Sequence, residues 1–244
     1  MIAFGKLYIV STPIGDRGDI TLRAIEILKS SDLIVGEEAK PARALLAKHS
    51  IEKPLVLLNE HSNNSMVEEI IEEIESGKTV SLISDCGTPL IADPGNTLVA
   101  KCIDRGIDVH PIPGASSILA ALVVCGFSLE RFSFVGFLPR NKPDRISAAK
   151  TLRAKEETLV LLEAPYRLLQ LLEDLELGIG SSREAVVACD LTLPTERIAR
   201  GTLGELHEQF EANKFKGEFV IVIEGSNLAK RDTKMPRFGK KKSK

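Results

Sequence analysis

Three short segments, dense in glycine, proline and small polar residues, hold most of the chain's capacity for chemistry. They are Ser11-Thr12-Pro13-Ile14-Gly15, Ser84-Asp85-Cys86-Gly87-Thr88-Pro89-Leu90-Ile91-Ala92-Asp93-Pro94-Gly95, and Pro111-Ile112-Pro113-Gly114-Ala115-Ser116-Ser117. Glycine lets a ligand approach the backbone, and proline stiffens the bend around it. Asp85 and Asp93 can accept hydrogen bonds from an amine or hydroxyl, or favour a cation. Ser116 and Ser117 offer hydroxyls together with the free N–H groups of a helix start. Any one of these segments reads as a good turn or cap. Three of them at one sheet end read as a small-molecule pocket.

Other familiar sites are missing. Gly178-Ile179-Gly180 follows a helix and has Arg183 where a dinucleotide fingerprint needs its third glycine. Gly77-Lys78-Thr79 imitates the end of a P-loop, but Glu72 stands at the first glycine position and the order runs from helix to strand. There is no HExxH and no GxSxG. The four cysteines, Cys86, Cys102, Cys125 and Cys189, show no CxxC spacing, so neither a metal site nor a disulfide framework is expected.

The elements that must position the three loops alternate regularly. Apolar runs at Leu7–Val10, Leu33–Gly36, Leu55–Leu58, Thr79–Ser84 and Ile107–Ile112 predict strands, with helices near 21–30, 40–49, 64–76 and 95–105. Ser65 with Glu68 resembles a capping box, Asp93-Pro94-Gly95 opens a helix, and Gly77 and Gly106 stand where helices should stop. Beyond Pro113-Gly114 a small, apolar helix (116–125) leads to strands at Phe132–Phe137, Thr158–Glu163, Ala185–Asp190 and Glu218–Glu224, with helices near 144–154, 165–177 and 203–213. Short buried strands joined by amphipathic helices specify an α/β fold with sheets covered on both faces. The expected organisation is an N-terminal α/β domain at 1–113, a C-terminal α/β domain at 114–227 and a basic, flexible tail at 228–244.

The 244 residues are 43% hydrophobic and 27% charged, which excludes wholesale disorder and coiled coil. The longest nearly apolar run, Ile118 to Phe127, is far short of a membrane helix, and no secretory leader is visible, so a cytoplasmic protein without a membrane partner is expected. A formal net charge of −2 hides a division: residues 228–244 carry a net +7, and the remaining residues a net −9. Such a cationic arm attracts phosphate backbones without reading sequence, although a merely solubilising tail has the same composition. Arg140, Lys142 and Arg145 on the polar loop after Phe137 could also meet phosphates, or be ordinary solvated charges.

The three loops, together with Asp19-Ile20-Thr21-Leu22-Arg23-Ala24, Gly136-Phe137-Leu138-Pro139-Arg140 and Gly217-Glu218-Phe219-Val220, resemble the tetrapyrrole-methylase superfamily, most nearly its small-subunit ribosomal RNA methyltransferase branch. The resemblance runs from about Leu7 to Glu224. It implies two α/β domains with an S-adenosylmethionine cleft between them, usually in a homodimer. It further implies 2′-O-methylation of a cytidine ribose, with rRNA or the small ribosomal subunit as partner. Carried over by position, Thr88 and Ile91 contact the cofactor from the central loop and Ser116 and Ser117 from the helix start. Leu162 and Leu191 lie on the second-domain wall, and Pro13 shapes the rim. Where the branch has Arg-Glu-Leu-Thr-Lys, this chain has Cys189-Asp190-Leu191-Thr192-Leu193.

Transfer to a ribose hydroxyl is helped by a group that takes its proton. Asp85, ending an apolar strand beside the glycine loop, is the first candidate; Glu38, Lys40 and Glu60 are others. For Asp85 the alternative role is to tie its loop to backbone N–H groups. His61 reads as a helix-entry residue and Cys86 as a small packing residue. Two further functions stay open: methylation of a small molecule such as a tetrapyrrole by the same fold, and a non-catalytic cofactor- or RNA-binding protein.

Overall fold

The computed structural model describes residues 5–59, 61–62 and 64–226. The basic tail at 228–244 and Glu60 therefore lie outside the described residues. Two compact units are present: the first runs to Ala120 and takes in Asp190–Thr195, and the second runs from Ala121 to Cys189 and resumes at Glu196.

The first unit alternates strand and helix: β1 (Lys6–Val10), α1 (Leu22–Ser30), β2 (Leu33–Gly36), α2 (Ala39–Lys48), β3 (Leu55–Leu57), α3 (Asn64–Glu75), β4 (Val80–Ile83), α4 (Asn96–Asp104) and β5 (Asp108–Ile112), followed by α5 (Ser117–Cys125). Every pairing in its sheet is parallel, in the order β3-β2-β4-β1-β5. β2 and β4 are buried along their whole length, which explains why they read as unbroken apolar runs. Val67, Ile70, Ile71 and Ile74 of α3 and Leu98 and Cys102 of α4 pack with Leu7, Val35 and Leu82 on one face. Ala24 and Leu28 of α1 and Ala42 and Leu46 of α2 pack with Val10, Ile34 and Ile83 on the other. The strand order matters for function. The connection from β1 crosses β4 to reach β2, whereas that from β4 crosses β1 to reach β5, so the chain leaves these two neighbours in opposite directions. Open α/β sheets take their ligands outside the carboxyl ends of strands at such a switch point.

The second unit holds β6 (Phe132–Gly136), α6 (Lys142–Leu152), β7 (Thr158–Leu162), α7 (Leu168–Ile179), β8 (Glu184–Cys189), β9 (Arg197–Thr202), α8 (Leu203–Ala212) and β10 (Phe219–Ile223). Its sheet is mixed, in the order β6-β7-β10-β8-β9, with only β6 and β7 parallel. Leu171, Leu175, Leu203, Leu206 and Phe210 from the helices meet Leu159, Leu161, Val187 and Ile221 of the sheet.

Four sequence expectations change. β9 is absent from the sequence pattern, because Arg-Ile-Ala-Arg-Gly-Thr reads as a loop; it is an edge strand that buries Ala199 and lays the Arg197 guanidinium 4.7 Å over the Phe210 ring. Ser65 lies inside the first turn of α3 and not before it, and Glu68 pairs with Lys101 of α4 and with Arg105 at its C-cap. The capping box is at α8, where Thr202 and Glu205 bond each other's backbone N–H reciprocally. The 165–177 helix opens as a short 3-10 turn, Pro165–Arg167, before α7.

The fourth change concerns Arg145, which is not a loop charge open to phosphate. α6 begins at Lys142, capped by Asn141, whose side chain accepts from the Asp144 N–H at 3.0 Å. Arg145 is 1% exposed; its Nε donates to Asp174 Oδ2 at 2.6 Å, and Nη1 to the carbonyls of Pro139 and Arg140. Lys142 is taken by Glu173 at 2.8 Å. Removing one member of a buried ion pair strands the other, at a cost of about 3–5 kcal/mol, whereas replacing both by apolar groups can be near neutral. Asp174→Ala should lower the unfolding free energy measured by denaturant titration by that margin, and adding Arg145→Met should recover most of it.

Candidate active site

The three loops predicted from the sequence meet within the first unit at the carboxyl ends of β1, β4 and β5, bound by hydrogen bonds. Thr12, just past β1, sends its N–H to the Gly87 carbonyl at 2.8 Å, and its hydroxyl faces the carbonyls of Ser84 at 3.1 Å and Gly87 at 3.3 Å. Thr88 joins all three: its Oγ1 donates to the Ala115 carbonyl at 3.0 Å and lies 3.0 Å from Ser11 Oγ. With the Thr88 proton spent on Ala115, Ser11 is the donor of that second bond. Gly114 allows the close approach, since a Cβ there would stand 2.8 Å from the Ser11 Cβ. Ser11 and Thr12 are buried, so these bonds are sheltered from water.

Beyond Thr88 the central loop turns sharply. Leu90 and Ala92 both have positive φ, 73° and 71°. Non-glycine residues adopt that conformation at an energetic cost and concentrate where function holds them. Between them Ile91 presents an apolar side chain that is 41% exposed. Asp93 returns to the neighbourhood of Ser84: burial pushes its carboxyl up, and the Ser84 side chain works against that push. Ser116 caps α5, its hydroxyl oxygen 3.4 Å from the Leu119 N–H, and Ser117 is the first helical residue. The early N–H groups of a helix have no partner within it, so this turn is a donor surface.

A hollow of about 210 Å³ opens between the loops after β1 and β4 and the first turns of α2. Pro13, Asp85 and Cys86 line it, as sequence reasoning places them beside the pocket, and Cys86 is exposed and not a packing residue. Asp85 Oδ1 accepts the Glu38 backbone N–H at 3.1 Å, so the loop-tying role is real. Burial raises the Asp85 carboxyl above its ordinary range; the charges of Glu38 and Asp93 add to this, and the Glu38 N–H opposes it. Of the other candidate bases, Glu38 is the N-cap of α2 and Lys40 is exposed on that helix. His61, through its own N–H, bonds Asn59 Oδ1 at 3.1 Å.

Leu191 is placed differently from the expectation. It is 9% exposed and lies in Asp190–Thr195, which belongs to the first unit and not to the wall of the second. A Cβ on Gly15 would come within 2.6 Å of the Leu191 carbonyl and 2.7 Å of Thr192 Oγ1, so only glycine permits the contact. Asp16 N–H donates to that same Thr192 oxygen at 2.8 Å. Leu162 ends β7 in the second unit. The structure thus brings Pro13, Asp85, Thr88, Ile91, Ser116, Ser117 and Leu191 into one unit, and leaves Leu162 on the other. Arg17 also lines the hollow, and sequence reasoning passes over it because a charge just beyond a glycine turn reads as solvated. Its nearness to the Pro-Ile-Gly loop is the available signal.

These features agree with the comparisons to known proteins. The family Tetrapyrrole (Corrin/Porphyrin) Methylases matches residues 6–207. A protein of Synechocystis named Ribosomal RNA small subunit methyltransferase I is 41% identical over 91% of this chain and 80% of its own length. The protein of that name from Thermotoga maritima is 40% identical over 91% of this chain and 99% of its own. Among solved structures, diphthine synthase superposes with a TM-score of 0.71 at 19% identity, covering 91% of this chain and 90% of that one. Uroporphyrin-III C-methyltransferase from Thermus thermophilus, complexed with S-adenosylhomocysteine, gives 0.62 at 19% identity, over 92% of this chain and all of that one. By its matched length, and by relatives of this identity along nearly all of it, the chain belongs to the tetrapyrrole (corrin/porphyrin) methylase family.

Proposed function

We propose that the chain is an S-adenosylmethionine-dependent methyltransferase that modifies the 2′-oxygen of a cytidine ribose in small-subunit ribosomal RNA. The observation that carries this reading is the relationship over 91% of the chain to proteins named for that RNA, together with a family match at residues 6–207 that spans all three knotted loops. A cytoplasmic location belongs to the same reading, because its proposed substrate is ribosomal RNA. No helix among the described residues is long and apolar enough to cross a membrane.

The donor set of the first unit fits the cofactor. When bound, S-adenosylmethionine supplies a methyl carbon activated by its sulfonium charge. The exposed Ile91 side chain and Pro13 would give it apolar contacts, with Leu191 as a further one. The α5 start at Ser116 and Ser117 would give N–H groups to its polar atoms. The Thr88 hydroxyl is committed within the knot, so Thr88 would contact the ligand through its methyl group and backbone. A knot of this stiffness keeps its groups aligned before the substrate arrives, and alignment can remove about 7–11 kcal/mol of barrier. Asp85 would accept the proton of the ribose hydroxyl, and its raised pKa makes it a stronger base than an ordinary carboxylate.

A homodimer belongs to the same reading. Val123, Phe132, Phe134 and Phe137 of the second unit are all at least 40% exposed. Exposed apolar side chains in such number mark association surfaces.

Methyl transfer from labelled cofactor to small ribosomal subunits, located as 2′-O-methylcytidine after nuclease digestion, tests the function; no incorporation into RNA overturns it. Asp85→Asn should lower the rate of transfer by about 10²–10⁴-fold, the span of general base catalysis, with cofactor affinity near that of the parent. In the parent the rate should fall with acidification at a pH above the ordinary aspartate range. The same substitution has a signed effect on stability. A carboxyl with a raised folded pKa contributes stability below its unfolded pKa and loses it as pH rises through the folded value. Asp85→Asn should therefore raise the melting temperature at neutral pH, with the gain vanishing in acid. Deleting residues 228–244 should weaken RNA binding and reduce the slope of log affinity against log salt by about 0.7 for each phosphate that the tail neutralises. Phe132→Glu with Phe134→Glu should convert the sedimenting species to monomer.

A further inference from the structure

We infer that Arg17 forms a subsite for the phosphate attached to the acceptor ribose, in the same hollow as Asp85. The inference rests on the function proposed above and adds which part of the RNA the first unit grips. At about 210 Å³ the hollow is smaller than the roughly 300–1,000 Å³ typical of sites that enclose a whole ligand, so it takes a fragment of one. Pro13, Ile14, Pro41 and Leu45 supply apolar walls, Asp85 a carboxylate and Arg17 a cation. A sugar carrying one neighbouring anion matches that lining. A tetrapyrrole macrocycle does not.

Arg17 is held in place at its backbone. Asp16 on its N-terminal side donates its N–H to Thr192 Oγ1 at 2.8 Å, and Asp16 Oδ1 accepts the Gly18 N–H at 2.7 Å. Gly15 is pressed against the Leu191 carbonyl. The turn that carries the side chain is thus braced from two sides, while the side chain itself is exposed. Its guanidinium makes no ion pair among the described residues, although the body of the chain is acidic. Nor is it among the charges that bear on Asp85, which are Glu38 and Asp93. An arginine so placed keeps its planar fork of donors for an external anion, and phosphate accepts that fork in bidentate fashion. In a nucleotide the 2′-hydroxyl and the 3′-phosphate sit on adjacent carbons. A nucleotide seated with its hydroxyl toward Asp85 therefore carries its phosphate within the same hollow.

The test compares binding of cytidine 3′-monophosphate and cytidine, by ligand-observed NMR titration, to the full-length parent, Arg17→Gln and Arg17→Lys. Melting temperatures serve as the folding control. The parent should bind the nucleotide about tenfold more tightly than the nucleoside, as expected of a charge-assisted bidentate contact. Arg17→Gln should bind the two alike, and Arg17→Lys should keep part of the preference. In methylation of small subunits, Arg17→Gln should raise KM for the RNA with little change in kcat, and leave cofactor affinity unaltered. Equal binding of nucleotide and nucleoside by the parent, or a preference that survives in Arg17→Gln, overturns the subsite. The proposed function fails separately, if the parent methylates no RNA; the nucleotide-binding comparison still decides the role of Arg17 in that case.

Discussion

The site depends on one polar knot: two threonines and a serine that tie three loops together through backbone carbonyls. Thr12 and Thr88 spend their hydroxyl groups on Ser84, Gly87 and Ala115, and Ser11 completes the link to Thr88. Each loop follows a different strand, so without these bonds each would present its polar backbone to solvent independently. The knot turns three turns into one rigid surface. Its location follows from topology, because β1 and β4 are neighbours whose chains depart in opposite directions and leave room above their carboxyl ends.

That rigidity explains how strained backbone is tolerated. Leu90 and Ala92 hold positive φ within the stretch anchored by Thr88 on one side and by Asp93 on the other. Two further non-glycine residues with positive φ, Asp190 and Thr192, lie in the segment packed against Gly15. Four of the five non-glycine residues with positive φ among the described residues thus lie in these two segments, the fifth being Ser50 after α2, a pattern expected where ligand contact takes precedence over local comfort.

Most of the fold is legible in the sequence because its central strands are buried on both faces. Unbroken runs such as Leu33–Gly36 and Phe219–Ile223 admit few other readings. The loops are legible too, since glycine and proline mark bends by their covalent structure. What escapes are features set by long-range partners. β9 carries two arginines and becomes a strand only through pairing with β8. Arg145 looks solvated until α7 brings Asp174 to it across 29 positions of sequence. Leu191 follows a strand of the second unit yet packs against Gly15 of the first, and local pattern contains no trace of that return. The site residues on the knot follow from turn chemistry; Arg17 does not, because its setting depends on Thr192, far away in the chain.

The same knot reconciles the two roles that sequence reasoning sets against each other for Asp85. One carboxylate oxygen, Oδ1, is occupied by the Glu38 N–H, which joins the β4 loop to the head of α2. A carboxylate has two oxygens, so anchoring the loop through Oδ1 leaves Oδ2 for the acceptor hydroxyl of the proposed reaction. Anchoring also suits the proposed chemistry. Half-buried beside the charges of Glu38 and Asp93, the carboxyl has a raised pKa and so a raised basicity. A single bond to a backbone N–H lowers the pKa less than burial raises it, so the structural contact is compatible with the role as a base proposed for Asp85.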